Sequence, residues 1–182
     1  MFRPFLACAL GLVLLGVARH PSTIFDLADA VGKPAPAITL LVDGGQPLSL
    51  ASLRGEPTYV FLFASWCGPC QLAMPFVRAD YARFGERVRF LGVDVLDEPG
   101  AARAAIAKDA LPFPVAIYPI DELDATIAPV MQLQAGMKYE IPTDFLLDAS
   151  GVVRYVWHGL AVGTDGSPQD VLPSYLAKLG IE

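Results

Sequence analysis

The sequence predicts an α/β fold, a mixed sheet with helices on both faces, and three observations carry that prediction. Short apolar runs rich in β-branched and aromatic residues, Tyr59–Ala64 (YVFLFA) above all, have the composition of strands buried on both faces. They alternate with stretches whose apolar residues recur every three or four positions, the period of one helix face. Near the C-terminus two strand-like runs flank the turn-forming Asp148-Ala149-Ser150-Gly151, which adds a hairpin to the alternating pattern.

In chain order, residues 21–36 carry Pro21, Pro34 and Pro36 with little periodicity and read as a linker; residues 37–182 form the folded domain. Ile38–Val42 and Pro47–Leu50 read as two short strands around Asp43-Gly44-Gly45-Gln46. The run Tyr59–Ala64 ends directly at Ser65-Trp66-Cys67, and from Cys70 onward Ala73, Met74, Val77, Tyr81 and Phe84 share a helical face, so a helix begins at the cysteines. Pro75 lies inside it, removes one backbone bond and is expected to kink it. Val88–Val95 is strand-like, Pro99–Ala110 is Ala-rich and helical with Pro99 near its first position, and Val115–Tyr118 is a short strand. Leu123–Gln134 is a broken helical pattern, Thr143–Leu147 and Val152–His158 are strands, and Val171, Leu172, Tyr175, Leu176 and Leu179 form a last helical stripe ending at Gly180. Met131 and Met137 read as core, and His158 as a strand residue near the sheet end.

The chain of 182 residues is 54% hydrophobic with 13 basic against 19 acidic residues, enough apolar surface for a core and too acidic for nucleic acid as a partner. Arg3 precedes the apolar run Phe5–Ala18, which Arg19 and His20 end, the order of a secretory signal. At 14 residues the run is shorter than the roughly 17 to 25 needed to span a bilayer. Residues 1–20 are therefore expected to be a signal peptide or a thin membrane anchor, with the body outside the cytoplasm. Cys8 inside the run reads as a small apolar residue rather than a lipid anchor.

That leaves Cys67 and Cys70, spaced Cys-x-x-Cys between a buried strand and a helix start. Free backbone N–H groups and the helix dipole favour a thiolate at Cys67, lowering its pKa below the free value of about 8.5. A thiolate attacks disulfides, and Cys70, three residues on, can resolve the mixed disulfide by closing a ring with Cys67. Pro69 has no N–H to lose in the first turn, Gly68 leaves the approach to the sulfur open, and Trp66 covers the strand end beside the sulfurs.

The segment Trp66-Cys67-Gly68-Pro69-Cys70, with Pro75 in the following helix, Ile141-Pro142-Thr143 before a strand and the Asp148–Gly151 turn, resembles the thioredoxin superfamily. The whole looks like its exported TlpA/ResA/CcmG-like branch, over about Val31 to Leu179. The resemblance implies a thioredoxin fold with an N-terminal β-hairpin extension and a central αβ insertion over Val88–Val115. It also implies a cis Pro142 beside the disulfide, with Ile141 offering backbone bonds to a partner's extended segment. The implied activity is that of a protein disulfide reductase using a redox-active Cys67–Cys70 disulfide and no other cofactor. Its partners would be exported protein thiols or disulfides, as in cytochrome c maturation or metal-site assembly, and a membrane electron-donor protein; the chain would be a monomer.

Two departures from the family pattern stand out. Relatives of this type carry a Glu three residues after the second cysteine, and cytosolic thioredoxins a buried Asp six before the first; here those places hold Ala73 and Phe61. A carboxylate there would accept the resolving thiol's proton, and Asp94 is the first candidate to replace it. Asp144, following Pro142-Thr143, reads either as a charge near the docking edge or as a solvated strand residue.

Other readings of the cysteine pair compete. Zinc needs about four ligands, which His20 and His158 do not complete, whereas copper(I) accepts two thiolates, so a metallochaperone stands as the alternative. A structural disulfide, or a disulfide oxidase or isomerase, uses the same residues, because exchange is reversible. A peroxiredoxin-type peroxidase is disfavoured, since Val60 and Ala64 stand where its loop needs Pro and Thr.

Overall fold

The computed structural model describes residues 30–35, 39–42, 46–95, 97–118 and 141–182. Its strands are β1 (Thr39–Val42), β2 (Gln46–Ser49), β3 (Thr58–Phe63), β4 (Arg89–Asp94), β5 (Val115–Ile117), β6 (Thr143–Leu147) and β7 (Val153–His158). Its helices are α1 (Gly68–Phe84), α2 (Pro99–Asp109) and α3 (Leu172–Lys178), with one 3₁₀ turn at Leu50–Ser52. The seven strands form one sheet in the order β2-β1-β5-β4-β3-β6-β7. β3, β4 and β5 are mutually parallel, and β1, β2, β6 and β7 join antiparallel.

This is the expected α/β architecture, and every predicted strand within the described residues is present. The 1–20 segment, the Asp43–Gly45 turn, Leu123–Gln134, Met131 and Met137 lie outside them. Among the described residues no helix is long and apolar enough to cross a membrane.

β3 is an interior strand with all six of its residues buried, hydrogen-bonded to β4 on one side and β6 on the other. Side chains alternate between sheet faces. Tyr59, Phe61 and Phe63 point one way, where Tyr59 meets Phe90 edge-on at 5.2 Å and stacks on Trp157 at 6.0 Å. Trp157 in turn stacks on Tyr175 of α3, and Phe90 meets Tyr81 of α1, so α1 and α3 share this face. The opposite face, with Val60, Leu62, Leu91, Val93 and Phe145, is equally buried.

Close approach also sets β4: a Cβ at Gly92 would stand 3.2 Å from Val115 and 3.3 Å from both Phe113 and Phe63. The Asp148–Gly151 turn forms as read from the sequence. Asp148 Oδ1 accepts from the Ser150 and Val152 amides at 2.9 and 3.1 Å, and Gly151 takes φ of 80°, a left-handed value that costs a glycine little.

α1 runs unbroken through Pro75 for 17 residues. Ala30–Ala35, the end of the stretch read as a linker, is docked on the sheet rather than free. The Gly32 and Ala35 amides donate to the Val153 and Gly151 carbonyls at 2.8 Å, and the Val153 amide donates to Lys33 at 2.9 Å. Backbone groups of an edge strand left open invite pairing, and these bonds occupy those at the start of β7.

Candidate active site

β3 delivers the chain through Ala64 and Ser65 to the first turn of α1. The Ser65 amide donates to Asp97 Oδ2 at 2.6 Å, tying this loop to the one that follows β4. Cys67 is the N-cap of α1, in an extended conformation, and its Sγ accepts from the Cys70 amide at 3.1 Å. Capping by a sulfur is the contact that would favour a thiolate there once the disulfide opens.

Cys67 and Cys70 are joined as a disulfide with Cα atoms 5.2 Å apart, and both are buried. The Ile141–Pro142 peptide is cis, and the Ile141 carbonyl oxygen lies 3.6 Å from Cys67 Sγ. Two segments 74 residues apart in sequence thus meet at the sulfur.

Not every motif residue sits where the sequence put it. Trp66 is 64% exposed, immediately before Cys67 in the chain, and Leu72 of α1 is 56% exposed. Pro69 lies in the first turn as expected. A Cβ at Gly68 would meet no atom within 4 Å beyond its chain neighbours. His158 Nδ1 is 3.0 Å from Thr143 Oγ1, a contact between neighbouring strands that does not involve the cysteines.

Asp144 is the main correction. It is neither solvated nor at an exposed docking edge but buried in β6, with Tyr59 Oη donating to its Oδ1 at 2.5 Å. The reason is the register: β6 is buried along its whole length between β3 and β7, and Asp144 stands opposite Phe61 and Trp157. Burial pushes the Asp144 carboxyl up to about 8, although the bond from Tyr59 pulls it down; burial, then the neighbouring Asp144, pushes the Tyr59 phenol up as well.

Two further acids escaped the sequence reading. Asp80 of α1 and Asp170 ahead of α3 are hydrogen-bonded to each other, and burial together with the partner carboxyl raises Asp80; burial raises Asp170 too. The signal for Asp80 was present: it falls three after Val77 and four before Phe84, on the apolar stripe of α1.

These acids line a cavity of about 40 Å³ bounded by Ala73, Val77 and Asp80 of α1, Tyr59, Pro142, Asp144, Trp157 and Asp170. Asp94, the residue first expected to serve Cys70, is buried at the end of β4 opposite Phe63 and Ile117 and does not line it. Among the described residues no group of three or more His, Cys, Asp or Glu side chains is placed to hold a metal ion.

Comparison with known proteins agrees with this geometry. The model of the AhpC/TSA family matches residues 31–156. The chain belongs to that family. It is 33% identical over 132 residues to the thiol:disulfide interchange protein DsbE of Pseudomonas fluorescens biotype C, covering 71% of this chain and 67% of that protein. It is 27% identical over 124 residues to the thiol-disulfide oxidoreductase ResA of Bacillus thuringiensis subsp. konkukian, covering 68% of this chain. That match spans 66% of the ResA protein's own length. The crystal structure of the thioredoxin domain of a thiol-disulfide oxidoreductase from Bacteroides vulgatus superposes with a TM-score of 0.65 at 20% identity, over 82% of this chain and 97% of that one. The fold is therefore the thioredoxin fold.

Proposed function

We propose that this AhpC/TSA-family chain is a protein thiol-disulfide oxidoreductase that works outside the cytoplasm and reduces disulfides in exported proteins. The observation that carries the reading is the Cys67–Cys70 disulfide at the N-terminus of α1 with the Ile141 carbonyl 3.6 Å from Cys67 Sγ. In the reduced protein Cys67 thiolate attacks a substrate disulfide, forming a Cys67–substrate bond and releasing one substrate thiolate. Cys70, as thiolate, then attacks Cys67 Sγ, closing the Cys67–Cys70 bond and releasing the second. Two electrons pass to the substrate and both released thiolates take up protons.

The remaining residues have roles in holding the partner. The Ile141 backbone offers bonds to an extended segment, with Pro142 beside it, and exposed Trp66 and Leu72 give that segment an apolar seat. Gly68 and Pro69 complete the turn. Cysteines of haem-binding sites in apocytochrome c or of copper sites suit such a seat as substrates. A membrane protein would return the electrons, and residues 1–20 would export the chain or anchor it, the body acting as a monomer.

The test is the equilibrium reduction potential of the Cys67/Cys70 couple. A strongly reducing value, near the roughly −270 mV of thioredoxin, is the expected result. A value far more oxidising would replace the reductase by an oxidase or isomerase, and no reversible couple together with tight copper(I) binding would make the chain a metallochaperone.

A further inference from the structure

The resolving cysteine needs somewhere to put its proton. At the two positions where the family resemblance would place a carboxylate for this purpose the chain has Ala73 and Phe61. Phe61 is paired across the β3–β6 ladder with Asp144. Ala73 is one wall of the cavity that Asp144 lines from the other side.

On each wall one lining residue lies close in sequence to a residue at the disulfide. Cys70, Ala73, Val77 and Asp80 follow one another at three- and four-residue spacing on one stripe of α1; the last three line the cavity, and Cys70, outside the lining, is the next residue of the stripe beyond Ala73. On the β6 side the lining residue Pro142 follows Ile141, whose carbonyl is 3.6 Å from Cys67 Sγ. At about 40 Å³ the cavity has room for a water, which needs roughly 10–15 Å³, and it has polar partners to hold one. Building on the exchange reading above, we infer that Asp144 accepts the proton of the Cys70 thiol through this cavity, in place of the acids missing at positions 61 and 73.

The step balances. Cys70 thiol and Asp144 carboxylate become Cys70 thiolate and Asp144 carboxylic acid; the thiolate attacks Cys67 Sγ and displaces the substrate thiolate, and Asp144 returns its proton to solvent or to the leaving sulfur. An acceptor works best when its pKa lies near that of the donor. Burial brings Asp144 up to about 8, close to the ordinary thiol value of about 8.5. The groups that face it are Tyr59 from β3, whose hydroxyl donates to it, and the Asp80–Asp170 pair from α1 and the segment before α3, with Arg83 beside that pair. His158 of β7 is bonded to the adjacent Thr143. Tyr59 is a positioning residue: its bond favours the carboxylate and fixes the oxygen it touches.

The test separates the two cysteines. Reduced full-length protein with Cys8→Ala is mixed with an aromatic disulfide whose thiolate product is coloured. A first burst reports attack by Cys67, and a second reports resolution by Cys70. In the parent the second rate should climb as pH passes through about 8. Asp144→Asn should leave the first burst in place, slow the second roughly a hundredfold at pH 8 and move its rise to higher pH, with Asp144→Glu restoring part of the loss. An unchanged second phase in Asp144→Asn overturns the assignment while leaving exchange chemistry standing; loss of the first burst in the parent overturns the exchange reading itself. Should Asp144→Asn not fold, Tyr59→Phe keeps the ring contacts and must shift the second-phase rise upward in pH, and an unshifted rise counts against Asp144.

Discussion

Asp144 stands opposite Phe61 across the β3–β6 ladder, a buried carboxyl beside a phenyl ring inside the sheet. An ionised carboxylate in that setting is costly unless it is bonded, and among the described residues Tyr59 supplies a bond to it. The site thus keeps an acid whose charge the fold resists, directly behind the segment that touches Cys67. Three predictions follow from the fold and the cysteines around it.

In the exchange mechanism proposed above, Cys67 attacks and Cys70 resolves. Cys70→Ser should therefore accumulate mixed disulfides with protein substrates through Cys67, seen as adducts that collapse on reduction, and Cys67→Ser should accumulate almost none. Equal trapping by both variants would mean that the roles assigned from the N-cap geometry are wrong.

Stability should fall as pH rises. Asp144 and Asp80 both have folded-state pKa values above the unfolded value of 3.8, so the folded chain holds protons that the unfolded chain gives up. The stabilisation is complete below about pH 4, declines as pH rises and levels off once Asp144 has passed about 8. Denaturant midpoints at pH 5, 7 and 9 should drop in that order, and Asp80→Asn combined with Asp144→Asn should flatten the series. A midpoint that climbs with pH would contradict the burial of these acids.

Gly92→Ala should destabilise by about 1–3 kcal/mol through overpacking, since the new methyl meets Val115, Phe113 and Phe63 at 3.2–3.3 Å. Thermal unfolding monitored by circular dichroism reads this directly. Gly68→Ala serves as the contrast: its Cβ meets nothing within 4 Å, and it should change stability by no more than about 1 kcal/mol.

Much of the fold was legible because it rests on local patterns. The run Tyr59–Ala64 could only be a doubly buried strand, and the stripe after Cys70 only a helix packed on it. What escaped depended on register and tertiary pairing. Asp144 looks like a surface residue beside a docking proline until β6 is known to lie between β3 and β7. How far Trp66 is exposed, 64%, depends on tertiary packing that no local pattern carries. Asp80 was visible as an acid on an apolar stripe, but its partner Asp170 lies 90 residues further on, beyond the reach of any helical period.

The docking of Ala30–Ala35 orients the whole domain. Pro34 pairs with Val152 at the start of β7, whereas the disulfide lies where β3 ends, by Thr143 and His158 at the opposite pole of the sheet. Six strand residues at about 3.3 Å each set these poles roughly 20 Å apart. The backbone bonds of Gly32, Lys33 and Ala35 to Gly151 and Val153 are therefore made at the end of β7 remote from the sulfur pair.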